Sequence, residues 1–229
     1  MNQPIVHTAT GITILGGGKA SEKQITRALD LAPCLVAADG GARTALRHGL
    51  MPEAVIGDLD SLGRHARAIP KARIHRITEQ DSTDFDKCLN AVEAPFAIAL
   101  GMLGNRLDHS LAALRSIAAH GRFPVIALAG KDVVFLAPER LDLALPVDTR
   151  VSLFPLAPVK GQSTGLHWPI RGLDFSPLGR IGTSNRTSES RQTLSFDRPH
   201  MLVILPRHHL AEVVQALVPG HAGISSSAR

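Results

Sequence analysis

Four short polar clusters carry most of the side chains in this sequence that could do chemistry: Ala38-Asp39-Gly40-Gly41-Ala42, Gly57-Asp58-Leu59-Asp60-Ser61, Asp81-Ser82-Thr83-Asp84-Phe85-Asp86-Lys87 and Gly104-Asn105-Arg106-Leu107-Asp108-His109. Together they hold seven aspartates. Brought to one place, that many carboxylates repel one another unless a cation sits among them. A hard divalent ion with oxygen ligands, most simply Mg2+, answers that need and commonly bridges to phosphate oxygens as well. Arg106 and Lys87 are cations suited to the same phosphates, the first as a fork and the second as a point charge.

Each cluster also has a plainer explanation. Asp39 and Asp58 suit turns. Thr83 to Asp86 has the form of a capping box, in which Asp84 and Asp86 serve a helix start. Phe85, Leu89 and Val92 would be that helix's buried face, leaving Asp84 and Lys87 free to be exposed. Asp108 fits the first turn of another helix, with Leu107, Leu111 and Leu114 as its apolar stripe. What distinguishes the four is their occurrence together and in this order, each expected after a strand at one end of a sheet.

The elements that would position them alternate. Ile12–Leu15, Leu35–Ala38, Ala54–Ile56, Phe96–Leu100 and Val125–Ala129 read as strands, almost wholly apolar. Between them, a capping box at Ser21 and Gln24 opens one helix, Gly40–His48 reads as a second closed by Gly49, and Asp108–His120 as a third ending at Gly121. Apolar strands alternating with helices imply a mainly parallel sheet covered by helices, whose ligands bind beyond the carboxyl ends of the strands. After about Lys131 the texture changes. Val133–Leu136, Val151–Phe154 and Met201–Leu205 read as strands among frequent Pro and Gly, with one late helix at Leu210–Leu217. This predicts an all-β second domain. The expected divisions are 1–130, 131–220 and a frayed tail at 221–229.

Composition excludes several classes. The 229 residues are 44% hydrophobic and 20% charged, ordinary for a globular chain. No apolar run reaches the ~18 residues that would span a bilayer, and Met1 to Thr10 lacks the pattern of a signal peptide. Two cysteines, Cys34 and Cys88, fit a reducing cytoplasm better than a disulfide scaffold. The net charge of +5 is spread thinly, with 17 Lys+Arg against 16 Asp+Glu up to residue 150 and 8 against 4 beyond it. Aromatics are 3% and tyrosine is absent, so a platform for stacking nucleic-acid bases is not expected. Gly16-Gly17-Gly18-Lys19 is not a Walker A loop, because the pattern's first glycine falls on Thr13 and Ala20 follows the lysine.

The clusters, in this order, resemble the thiamine pyrophosphokinase (thiamine diphosphokinase) family, on the strings AADGGA, GDLDS, DSTDFDKCL and GNRLDHSLA, with STGLHWP at 163–169 and GTSN at 182–185 in the second domain. The resemblance implies an α/β catalytic domain that binds ATP and metal, and a β-sandwich that binds thiamine and mediates dimerisation. It implies a homodimer with shared active sites. The reaction would carry the diphosphate of ATP to the hydroxyl of thiamine, releasing AMP. Carried over, Asp58, Asp60 and Asp84 would hold Mg2+, and Lys87 and Arg106 would neutralise the transferring group. Asp108 would orient Arg106 or the substrate. Asp39, Ser61, Asp81, Ser82 and Thr83 would face ATP and its phosphates. Thr183, Ser184, Asn185 and Trp168 would contact thiamine. One departure stands out: relatives commonly have Gly-Gly where this chain has Gly104-Asn105. Two alternatives remain at this point, a diphosphokinase for another heterocyclic alcohol such as a hydroxymethylpterin, and a non-catalytic nucleotide-binding protein.

Overall fold

The computed structural model describes residues 3–220; the tail expected at 221–229 lies outside them. The chain divides into two compact units, at residues 1–130 and 131–229.

In the first unit the elements run β1 (Val6–His7), β2 (Ile12–Leu15), α1 (Glu22–Leu31), β3 (Cys34–Ala38), α2 (Gly41–Arg47), β4 (Ala54–Gly57), β5 (Ile74–Arg76), α3 (Asp84–Ala91), β6 (Val92–Glu93), β7 (Ala97–Leu100), α4 (Leu107–Ala119) and β8 (Val125–Ala129). Six strands pair in parallel in the order β8-β7-β2-β3-β4-β5. Every residue of β2, β4 and β7 is buried, the signature of strands covered on both faces. The chain builds outward from β2 through β3, β4 and β5, then returns to β7 on the other side of β2. That reversal makes the β2/β7 junction the topological switch point, where a crevice opens beyond the carboxyl ends.

The local sequence explains the helices. Ser21 caps α1: its hydroxyl accepts from Gln24 N–H at 3.3 Å, and the Gln24 side chain accepts the Ser21 N–H at 2.9 Å. Thr83 and Asp86 form the same reciprocal pair at the start of α3, each bond 3.2 Å long. Gly41 opens α2 because nothing larger fits: a Cβ there would lie 1.8 Å from the Leu15 carbonyl oxygen. This contact seats α2 on the end of β2.

Two expectations about helix faces are corrected. Helix α4 is buried through Ala113, Ser116 and Ile117, whereas Leu107 is 76% and Leu111 59% exposed and Leu114 is half-buried. Small residues let the helix approach its neighbours closely, and that face lies around the axis from the leucines. On α3, Phe85 and Leu89 are buried as the periodicity implies, but so is Lys87. Its stem is covered and its amine is turned to a carboxylate.

The second unit is β-rich. Its strands are β9 (Asp132–Leu136), β10 (Arg140–Leu143), β11 (Arg150–Pro155), β12 (Val159–Thr164), β13 (Leu173–Phe175), β14 (Gly182–Arg186), β15 (Gln192–Phe196) and β16 (Met201–Pro206), followed by α5 (Leu210–Leu217). They pair antiparallel as β14-β11-β16-β9 and β10-β15-β12-β13. Alternate residues of β10 and β15 are buried, among them Leu141, Leu143, Leu194 and Phe196. That is the pattern of a sheet with one covered face. The β-domain expected from sequence is present, with α5 as its helical exception.

Candidate active site

The loops that leave β2, β3, β4 and β7, together with the start of α3, surround a cavity of about 470 Å3 in the first unit. Its floor is backbone. Gly16 N–H donates to Leu100 O at 2.7 Å and Gly18 N–H to Gly101 O at 2.9 Å, so the loops after β2 and β7 lie against each other at the switch point. Side chains cannot intrude between them, since a Cβ on Gly18 would lie 2.5 Å from the Gly101 oxygen.

On one wall three carboxylates converge. Asp39, Asp58 and Asp84 each place an oxygen within 4.8 Å of the others. They come from the ends of β3 and β4 and from the first turn of α3. Gly57 leaves the room, because a Cβ there would meet Asp84 Oδ1 at 2.9 Å and Asp39 Cβ at 3.0 Å. The loop backbone is strained at the same place. Asp39 has φ 36° and Leu59, between Asp58 and Asp60, has φ 69°, a conformation uncommon for residues other than glycine and most costly at the leucine.

The hydrogen bonds fix this group without neutralising it. Asp84 Oδ1 accepts the Asp58 N–H at 3.2 Å and lies 3.4 Å from Lys87 Nζ. Asp39 Oδ2 accepts the Ser61 N–H at 3.0 Å, and Asp58 Oδ1 accepts the Asp60 N–H at 3.2 Å. Asp39 Oδ1 is buried and, among the described residues, has no hydrogen-bond partner. Burial, and then the negative charge of Asp58, push the Asp84 carboxyl above its ordinary range; the Asp58 N–H and Lys87 pull the other way. An all-oxygen donor set with an orphaned buried oxygen and a carboxylate held against its charge fits a hard divalent cation.

Opposite stands Arg106, whose guanidinium grips Asp108 through two bonds, Nε to Oδ1 at 3.1 Å and Nη2 to Oδ2 at 2.5 Å. The Arg106 contact is the largest reason the Asp108 carboxyl lies below its usual range. Both side chains are exposed, so this pair orients the arginine and adds little stability.

Of the residues expected at the site, Asp39, Asp58, Asp84, Lys87, Ser61, Ser82, Thr83 and Arg106 line the cavity. Asp108 reaches it only through Arg106. Asp60 and Asp81 do not line it: both are exposed, and Asp39 stands in the carboxylate cluster where Asp60 was expected. The seven aspartates therefore do not converge as a set. Asp86 is occupied by the Thr83 cap and by Arg115 at 3.4 Å. Sequence reasoning passed over Arg43, which lines the cavity from the first turn of α2, and Glu79. The Glu79 carboxylate gathers the Ser82 hydroxyl and the Asp81 and Ser82 N–H groups, so the Ser82 side chain is already engaged. The signal for Arg43 was its place directly after Gly40-Gly41-Ala42. Asn105, the departure from the glycine pair, is exposed at the rim after Gly104 at φ 93°.

The second unit gathers the other expected residues. Asn185 is buried and its amide clamps Trp168: Oδ1 accepts the Trp168 N–H at 3.2 Å and Nδ2 donates to the Trp168 carbonyl at 2.7 Å. Ser184, at φ 61°, is held there by its N–H bond to Ser152 Oγ at 3.0 Å, beside a break in the β11–β14 register. Thr183 and Ser184 are exposed, as is the Trp168 ring.

A parallel α/β sheet bearing an acidic cluster, a buried lysine and a forked arginine at its carboxyl edge is suited to metal-assisted chemistry on phosphates, as in kinase-type transferases. Comparison with known proteins specifies which. Residues 25–126 match the family model of the thiamin pyrophosphokinase catalytic domain, and residues 140–201 that of the thiamin pyrophosphokinase vitamin B1 binding domain. Thiamine pyrophosphokinase 3 of Oryza sativa subsp. japonica is 26% identical over 220 residues, covering 80% of this chain and 82% of that one. Thiamine pyrophosphokinase of Bacillus subtilis is 26% identical over 205 residues, covering 83% and 95%. The solved thiamin pyrophosphokinase of Candida albicans superposes with a TM-score of 0.72 at 16% identity, over 90% of this chain and 95% of that one, and so shares the fold. The chain belongs to the thiamine pyrophosphokinase family and is an enzyme of that type.

Proposed function

We propose that this enzyme transfers the diphosphate of ATP to the hydroxyl oxygen of thiamine, giving thiamine diphosphate and AMP. The observation that carries the reading is the Asp39, Asp58 and Asp84 cluster with Lys87 behind it, in a chain whose two halves match the catalytic and vitamin-binding models of one family. The new bond joins the thiamine oxygen to the β-phosphorus. The bond that breaks joins that phosphorus to the oxygen bridging to the α-phosphate, which leaves with AMP.

Asp39, Asp58 and Asp84 would hold the Mg2+ as they stand, and Asp60, exposed two residues beyond Asp58, would join them only by a shift of its loop. When bound, the ion supplies positive charge to the diphosphate oxygens. Lys87 meets the same charge from within α3, and Arg106, steadied by Asp108, meets it from the opposite wall. Ser61, Ser82 and Thr83 line the same cavity and would complete the phosphate surroundings, whereas Asp81, exposed on the loop before Ser82, would act on them only through that loop. The glycine floor admits the nucleotide close to the backbone. Loose phosphoryl transition states ask for position and charge neutralisation more than for a strong base, and these residues supply both. Thr183, Ser184 and Trp168 are assigned to thiamine, and Asn185, buried with its amide on the Trp168 backbone, to holding that tryptophan in place. A homodimer that shares its active sites completes the proposal.

The test is a product assay with ATP, Mg2+ and thiamine that resolves AMP from ADP. AMP formed in step with thiamine diphosphate is expected. ADP with thiamine monophosphate would refute the point of attack, and no thiamine-dependent product would refute the acceptor.

A further inference from the structure

Trp168 is the chain's single tryptophan, and its side chain is in an unusual position: the residue is 54% exposed while its backbone is pinned on both sides by the buried Asn185 amide. The ring's π-face is engaged. The guanidinium carbon of Arg186 stands 5.6 Å from the ring centroid, inside the range of a cation–π contact. Arg186 follows Asn185 directly, so the turn that fixes Trp168 also delivers a cation to it. That cation is only half covered, the Arg186 side chain being 47% exposed. It has a second anchor off the ring, Asp148 Oδ1, 3.6 Å from its Nη1.

Thiamine carries a permanent positive charge on its thiazolium ring. A π-cloud already polarised toward one cation attracts a second less strongly, and the two cations repel, whichever face the second one takes. Resting on the reading above that Trp168 meets thiamine, we propose that Arg186 is a built-in competitor that sets the affinity for this substrate. It engages the Trp168 ring in the free protein and yields it, toward Asp148, when the cationic ligand arrives. The residue determines how strongly the enzyme holds thiamine and takes no part in the transfer of the diphosphate.

Because Trp168 is alone, intrinsic fluorescence reports this place only. The experiment titrates thiamine, without ATP, into the full-length wild type and into the Arg186→Gln and Arg186→Lys variants, following tryptophan emission. Steady-state kinetics accompany each. Expected are altered emission of ligand-free Arg186→Gln and thiamine binding tighter by about two- to fivefold, the range that an exposed cation–π contact supports. KM for thiamine should fall with it while kcat and KM for ATP stay put. Arg186→Lys, which keeps the charge without the planar face, should fall between. Unchanged or weaker thiamine binding by Arg186→Gln overturns the inference. So does turnover of thiamine with no change of Trp168 emission in any of the three, although the proposed reaction then stands. Absence of both binding and turnover removes the functional reading itself, and the inference with it.

Discussion

Crowding three carboxylates at one wall of the cavity should make the metal-free protein less stable than a variant with one charge fewer. Asp58→Asn is the informative substitution, because Asp58 raises the Asp84 carboxyl and the amide oxygen can still accept the Asp60 N–H. At the 4.8 Å that bounds the cluster, two unit charges repel by about 3.5 kcal/mol at an effective dielectric near 20 and by about 0.9 kcal/mol at that of water. Asp58 and Asp84 are both partly exposed, which favours the lower end. Relief of about 1 kcal/mol corresponds to a Tm about 2–4 °C higher in a chain of this length. With Mg2+ the order should reverse, since a site at a hundred times its Kd adds about 2.7 kcal/mol and the variant has lost a ligand. The dependence on pH has a definite sign. The Asp84 carboxyl is raised in the folded state, so its contribution to stability is fully present below the unfolded value. That contribution is lost as pH rises through the folded one. Metal-free wild type should therefore weaken just above the ordinary carboxylate range, and Asp58→Asn should weaken less. Calorimetric melts in EDTA and across a Mg2+ series, over that pH range, measure all of this. An Asp58→Asn protein that melts lower than wild type in EDTA and keeps the full Mg2+ gain would refute the reasoning.

Three further outcomes are expected. Asp60→Ala should lower turnover by about a hundredfold or more if Asp60 joins the metal in the working complex; wild-type rates would confine the metal set to Asp39, Asp58 and Asp84. Lys87→Met, which keeps the buried stem and removes the charge, should lower kcat by about 10²–10³-fold in steady-state assays, and a loss confined to KM for ATP would mean that Lys87 only binds. Burial raises the Asp86 carboxyl, but bonds from Ser116 and Thr83 and the Arg115 charge outweigh it and leave it below its usual range. Its stabilising contribution is thus present above the unfolded value and lost as pH falls through the folded one. Asp86→Asn should cost about 1 kcal/mol at neutral pH, the scale of a helix cap, and nothing in strong acid, as denaturant titrations at the two pH values would record.

The parallel sheet was legible because β2, β3, β4 and β7 are nearly unbroken apolar runs that end in glycine or aspartate, and the caps of α1 and α3 could be read residue by residue. Which side of α4 faces inward was not. Leu107 and Leu111 look like a buried stripe, but the available space favours Ala113 and Ser116, and spacing alone does not report how near the neighbouring elements come. The carboxylate cluster was half legible. Asp58 and Asp84 announce themselves through their motifs. Exchanging Asp60 for Asp39 depends on the left-handed turn at Leu59 and on the space that Gly57 leaves, both properties of the folded backbone. Glu79 was invisible because its role, collecting the Ser82 hydroxyl, exists only once the loop has formed. The pairing of Arg186 with Trp168 likewise joins residues 18 apart, through a clamp that no local pattern encodes.

The parallel sheet has two ends, and only one bears the carboxylate cluster. At the other, α2 turns into β4 through Gly49 and α4 turns into β8 through Gly121, and a Cβ on either glycine would meet nothing within 4 Å. Since β3 and β8 are five residues long, the two ends of the sheet lie about 15 Å apart along the strands. Such exposed tips are where a chain accepts foreign sequence. A peptide tag, a fluorescent label or an entire guest domain spliced in beside Gly121 would ride on the enzyme without entering the cavity at the carboxyl end, which makes that turn a handle for immobilising or tracking the protein at work.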